Sequence, residues 1–224
     1  MVASKLFSAE DRKAISDAVA EAEKKTSAEI VPVVATISDR YERAEDLVGL
    51  AMSLLAVAAT WTQFQRLRPS SDWDESVELT IHLPYVLAIM AGGWVVGVLL
   101  AKALPWLKRL AVSRRAMTAR VLIAAHHAFD ALHAGSTIGG TGLVLYVSLF
   151  ERRVCVWADR KISEKVPEGE WKGITELLVQ ALRDGKPRDG FVDAIRKAGE
   201  LLEKPFPIQP DDTNELSNEL RILD

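Results

Sequence analysis

EIVPVVATI, residues 29–37, is rich in β-branched side chains and reads as a strand. Pro32 within it has no N–H to donate, which predicts an edge strand or a bulge. Upstream, Ser8 and Asp11 have the spacing of a capping box, and Ile15, Ala18, Val19 and Ala22 then recur at helical intervals, so residues 9–25 are expected to form an amphipathic helix. Downstream, the chain turns abruptly apolar. A lone helix and a lone strand cannot bury a core. Residues 1–46 therefore need the rest of the polar chain to fold.

The apolar region holds two uncharged runs, residues 47–65 and 79–101. Each approaches or exceeds the roughly 20 residues that an α-helix needs to cross about 30 Å of hydrocarbon. Both read as transmembrane helices, the first weakened by Thr60, Thr62, Gln63 and Gln65, with a buried soluble helix as its alternative. In the second, Gly93 and Gly97 permit close approach of a neighbouring helix, with Ala51, Ala56, Ala58 and Ala59 of the first run as intramolecular partners. The same motif is a route to a homo-oligomer. Trp61, Trp73, Trp94 and Trp106 lie in or beside these runs, Trp61 and Trp106 where an interfacial belt is expected.

Residues 8–25 are charged and amphipathic, unlike a signal peptide, so the first run is expected to be an uncleaved anchor. Lys24, Lys25, Arg40 and Arg43 precede the runs, Arg66 and Arg68 separate them, and Lys102, Lys108, Arg109, Arg114, Arg115 and Arg120 follow. The positive-inside rule then places both termini and the soluble domain in the cytoplasm, on an inner or cytoplasmic membrane. No acid interrupts residues 102–120, so Lys102, Lys108, Arg109, Arg114 and Arg115 are expected to contact anionic lipid, with Arg120 facing either lipid or the domain.

Beyond residue 107 the pattern is helix, strand, strand, helix, helix. Leu122, Ala125, Phe129 and Leu132 mark a helix ending near Gly135, and GLVLYVSL (142–149) with RVCVWA (153–158) reads as a hairpin turning at 150–152. Trp171, Ile174, Leu177, Leu178, Ala181 and Leu182 form one apolar stripe, stopped by Gly185 and Pro187. Phe191, Ala194, Ile195, Ala198 and Leu201 form another, stopped by Pro205. An even number of spans returns the chain to one side, so residues 1–46 and 108–224 are expected to build one mixed-sheet α/β domain, interrupted by a transmembrane helical hairpin at 47–107.

Composition narrows the function classes. With 28 Lys+Arg against 31 Asp+Glu there is no global basic footprint, and nucleic acid is not an expected partner. The single Cys155 excludes an internal disulfide, and its place inside an apolar strand marks a buried structural thiol. The chain contains no P-loop, G-x-G-x-x-G, G-x-S-x-G or S-x-x-K motif.

GTGLVLYVSLFERRVCVWADRKI (140–162), with AEKKTSAEIV (22–31), EGEWKGITELLVQALRDGKPRDGFVDAIRKAGELL (168–202) and FPIQPDDTNEL (206–216), resembles the TPM-domain family in its short membrane-embedded form. The resemblance covers most of the soluble chain. It implies a small α/β/α sandwich tethered to membranes, with phosphatase activity attributed to some relatives and binding or assembly roles to others. It also suggests a membrane-protein partner of the LemA type. The chain departs from the family where Gly140 stands in place of an Arg before Thr141-Gly142, and where residues 158–162 replace a glycine-rich turn of the soluble relatives.

Asp159 ends the third predicted strand, where α/β domains often place ligand-binding side chains, and it is the leading candidate carboxylate; a cap or turn role beside Arg160 is the structural alternative. Asp39 joins it in a catalytic pair if the strands that carry them are adjacent and parallel. His126, Asp130 and His133 fall within about 60° of one another on a helix, a stripe able to ligate a divalent metal, and otherwise a polar face with His126 and Asp130 paired. No other cofactor is indicated. The acidic segment from Pro210 to Glu215 lacks the calcium-loop pattern, and Asp212 with Glu215 predicts a capping box for a final helix carrying Leu216, Leu220 and Leu223. The expected function is that of a membrane-anchored interaction or assembly module; phosphate-ester hydrolysis, metal-assisted or not, is the alternative.

Overall fold

A computed structural model describes residues 2–64, 67–71, 74–79, 81–209 and 212–224. Gln65 at the end of the first apolar run, Arg66, Trp73, and Pro210 with Asp211 of the acidic segment lie outside the described residues. In chain order the elements are α1 (Ala9–Glu23), β1 (Glu29–Ala35), α2 (Glu42–Phe64), β2 (Leu67–Ser71), β3 (Asp74–Leu79), α3 (Leu83–Ala103), α4 (Pro105–Leu110), α5 (Arg114–Ala131), β4 (Gly142–Ser148), β5 (Arg153–Ala158), α6 (Arg160–Lys165), α7 (Glu168–Arg183), α8 (Pro187–Glu203) and β6 (Arg221–Leu223). They group into two compact units, residues 1–39 with 115–224, and residues 40–114.

The first unit is an α/β/α sandwich on a sheet of order β5-β4-β1-β6. β1 runs parallel to both β4 and β6, while β5 is antiparallel to β4. Alternation along the strands sorts the core into two layers. Ile30, Val34, Leu143, Leu145 and Val147 face α1, α7 and α8, burying Ile15, Trp171, Ile174, Leu178, Phe191 and Ile195. Val31, Val33, Ala35, Val144 and Tyr146 face α5, burying Val121, Ala125 and Phe129. The buried stripe of α5 runs through Met117, Val121, Ala125 and Ala128, leaving Leu122 43% exposed, so Leu122 is not the core residue its spacing suggested.

The capping box at Ser8 and Asp11 forms as expected. Pro32, however, sits in an inner strand and not at an edge or bulge. Thr36 N–H donates to Leu223 O (2.8 Å), so the even-numbered residues of β1 turn their main-chain groups toward β6. β6 pairs with β1 only from Val33 to Ala35, so a missing N–H at Pro32 leaves nothing unsatisfied.

The expected final helix is replaced by irregular chain and the short strand β6. Glu215 does not close a capping box; its carboxylate accepts from Ile138 N–H at 2.8 Å. The Glu215 and Leu216 N–H groups donate to the Glu29 carboxylate (3.2 and 3.3 Å), and Asn218 Nδ2 donates to Glu23 (2.8 Å). Those partners and the open edge of β1 outcompete intrahelical bonds for the segment's main chain.

In the second unit, α2 and α3 are long and apolar enough to cross a membrane. A Cβ on Gly97 would lie 2.7 Å from Gly49 Cα, and one on Gly93 would lie 2.9 Å from Ser53 Cα and 3.2 Å from Ala56 Cβ. Gly49, Ser53 and Ala56 recur at helical spacing and make one face; Ala51, Ala58 and Ala59 point elsewhere and are exposed, so of the alanines assigned to this contact only Ala56 belongs to it. The segment between the spans contains the antiparallel pair β2 and β3.

Candidate functional site

At the carboxyl end of β1 the chain leaves through Ser38 and Asp39, and at the same end of β4 it enters the turn to β5. Four side chains meet there. Ser38 Oγ donates to Ser148 Oγ at 2.9 Å, and Ser148 Oγ donates to the Glu151 carboxylate, which also accepts Ser38 N–H at 3.0 Å. Ser38 Oγ lies 3.2 Å from Tyr146 Oη; since Ser38 gives its proton to Ser148, the tyrosine is the donor. Hydroxyl protons thus point in sequence from Tyr146 to Ser38 to Ser148 to the carboxylate. Glu151 is only 2% exposed, and a buried carboxylate of this kind is tolerated because several donors replace its water. Burial pushes the Tyr146 phenol upward, with nearby Glu151 adding to the rise. Beside the network, Asp39 pairs with Arg120 at 2.9 Å.

Asp159 lies at the other end of the sheet. β4 separates β1 from β5, and β5 runs antiparallel, so Asp159, whose N–H donates to Gly142 O (2.9 Å), aligns with the start of β1 at Glu29. The length of β1, roughly 20 Å at about 3.3 Å per residue, stands between it and Asp39. The two aspartates do not converge. Asp159 is the N-cap of α6, its carboxylate accepting Arg160 N–H, while the Arg160 guanidinium turns to Glu164 at 2.8 Å.

His126 Nδ1 sits 3.4 Å from Asp130, and the His126 ring meets Trp157 edge-on at 4.8 Å. His133 falls beyond the last turn of α5 with a left-handed backbone (φ 55°), so the helical stripe stops before reaching it. Among the described residues no group of three His, Cys, Asp or Glu is arranged to hold a metal ion. Cys155 is buried, and burial pushes its thiol up to about 11, away from the thiolate that nucleophilic chemistry needs.

Two lysines of the basic run meet an acid near the start of α2. In the second unit Glu45 receives Lys108 Nζ at 2.5 Å and Lys102 Nζ at 3.8 Å, and Lys108 also donates to Arg40 O at 3.2 Å. Arg115, in the first unit, is exposed. Sequence reading missed Ser38, Ser148 and Glu151 because each is an ordinary residue at a strand end or in a turn. The available signal was weak: an acid and a pair of serines at the ends of two predicted strands.

Residues 113–201 match the family model described as the TPM domain. Over that stretch the chain is similar to the TPM domain. The matched stretch begins just before α5 and ends in α8, taking in β4 and β5, and β1 joins their sheet from the other side of residues 40–114 in sequence. No curated protein matches the chain. The NMR structure of the BA42 protein from the psychrophilic bacterium Bizionia argentinensis is similar in fold, with a TM-score of 0.56 over 96% of this chain and 94% of that one, at 21% identity.

Proposed function

We propose that this TPM-domain chain is a membrane-tethered interaction or assembly module whose α/β/α unit works on the cytoplasmic face with a membrane protein, the resemblance suggesting one of the LemA type. The observation that carries the reading is the outward apolar surface of the two spans: Leu47, Leu54 and Leu55 on α2 and Leu87, Val96 and Leu99 on α3 are exposed. Large apolar surface of this kind requires lipid or a partner. The basic residues after α3 support the orientation. Cysteine labelling at both termini and between the spans tests it. Termini reactive only from the cytoplasm, with the inter-span segment reactive only from outside, are expected. Release by carbonate, or an inter-span segment reactive from the cytoplasm, overturns it.

A second reading, phosphate-ester hydrolysis, is favoured by the Ser38 hydroxyl, whose proton is directed through Ser148 toward Glu151 with Arg120 nearby on Asp39. Turnover of an aryl phosphate by the purified full chain, lost in Ser38→Ala and retained in Asp159→Asn, would put this reading first. Absence of turnover leaves the module reading alone.

A further inference from the structure

β5 is the last strand on its side of the sheet. The Asp159 to Gly142 hydrogen bond sets the alternation of its ladder with β4. Arg153, Cys155 and Trp157 direct their main-chain groups inward, whereas Val154 and Val156 direct theirs to the free edge. A groove of about 490 Å³ runs there, between α5 and α7. Leu122 and Val179 give it apolar walls, while Arg152, Arg153 and Arg183 outnumber Glu176 along it. Among the described residues, Arg152 and Arg183 make no ion pair. Arg152 has a left-handed backbone (φ 53°), a conformation uncommon for a non-glycine residue. That conformation holds a guanidinium at the groove's end.

We propose that this edge is a docking groove for an extended acidic segment of a partner protein, which joins the four-stranded sheet as a fifth strand. An extended chain is the occupant that can use a row of outward N–H and C=O groups, and the neighbouring walls select its side chains. The excess of arginine selects carboxylates. A second copy of this chain fits poorly, because pairing one β5 with another brings the same arginines together. The inference rests on the reading of the chain as an interaction module and names the surface and the chemistry of what it binds.

The test uses the full chain in nanodiscs and fluorescein-labelled hexapeptides alternating valine and threonine, with glutamate, or lysine in a matched pool, at the outer positions. The glutamate pool is expected to bind saturably and at least about tenfold more tightly than the lysine pool, a difference of about 1.4 kcal/mol. Binding should slow amide exchange at Val154 and Val156. Val154→Pro removes only an outward N–H, and Arg153 before it is already extended, so it should weaken binding roughly tenfold with the fold kept. Backbone N-methylated peptides give the same readout if that variant misfolds. Arg152→Glu with Arg183→Glu should reverse the preference between pools. Equal binding of both pools, no binding, binding indifferent to both Val154→Pro and N-methylation, or self-association that Val154→Pro abolishes would each overturn the proposal. Peptide binding by a chain that carbonate releases from membranes would leave it standing while removing the tether; a properly inserted chain that ignores the peptides would do the reverse.

Discussion

Glu23 takes the place of a strand beside Ile30. The side chain at the end of α1 accepts Ile30 N–H at 3.1 Å, on the β6 side of β1 but before the stretch that β6 covers, and it also receives Asn218 Nδ2 at 2.8 Å. One carboxyl group therefore joins α1, the central strand and the C-terminal segment. Burial is the main cause that pushes it from 4.5 up to about 8; the Ile30 N–H opposes the rise, Glu29 and Asp212 add to it, and the Asn218 amide lowers it. Glu29 next to it is raised chiefly by its own burial, with the Glu215 and Leu216 N–H groups opposing.

Stability should fall as pH rises through this site. The folded state holds the Glu23 proton more tightly than the unfolded chain, so the contribution is fully present below about 4.5 and is lost by about 8, Glu29 acting in the same direction. Thermal midpoints of the full chain across that range should decline, and Glu23→Gln, which keeps an acceptor for Ile30, should flatten the decline. An unchanged slope in the variant would show that other groups govern it.

Gly142→Ala should be among the most damaging single substitutions. Its Cβ would lie 1.8 Å from Ala134 O, so the chain after α5 must move, at a cost of about 3 kcal/mol or more. Gly169→Ala, with nothing within 4 Å, should be neutral or stabilising by up to about 1 kcal/mol. Paired denaturant melts in the same detergent compare them.

Removing residues 1–39 should abolish cooperative folding of 115–224, because it removes β1, the strand between β4 and β6. A fusion of the two segments without residues 40–114 should restore it. Amide exchange on both proteins measures the difference, and protection in the shorter one equal to that in the fusion would refute the expectation.

Gly97→Val should loosen the α2–α3 pair, since even a Cβ there meets Gly49 Cα at 2.7 Å; a loss of about 1–3 kcal/mol is expected. Gly92→Val has open space and should change little. Distance between labels on α2 and α3 reports the separation.

Lys108→Gln should weaken attachment to anionic lipid less than Arg115→Gln. Glu45, its side chain 12% exposed, already offsets the Lys108 charge, whereas an exposed arginine near an anionic surface contributes on the order of 1 kcal/mol. Salt-dependent exchange of the chain between anionic and neutral nanodiscs measures both, and equal effects would count against the role assigned to Glu45.

Much of the architecture was legible from neighbouring residues alone. The capping box at Ser8, the α7 and α8 stripes and the β4–β5 hairpin are local patterns, written in residues a few positions apart, and each forms as read, while the two apolar runs fall largely in helices long and apolar enough to cross a membrane. The resemblance extended this to a TPM fold. Strand neighbours were not legible, because pairing energy comes from residues far apart in the chain. Pro32 counsels an edge until β6 proves too short to need its N–H. Leu216, Leu220 and Leu223 keep a helical period until Glu23, Glu29 and the open side of β1 claim the segment's hydrogen bonds. Asp39 and Asp159 form a plausible pair until β4 comes between their strands and reverses one of them. The sequence by itself determined the long helices, the β4–β5 hairpin and the two apolar runs, through periodicity and local sterics. Tertiary structure alone decided which strand is central, which carboxylates are buried and which residues meet, because burial and alignment depend on the whole sheet closing at once.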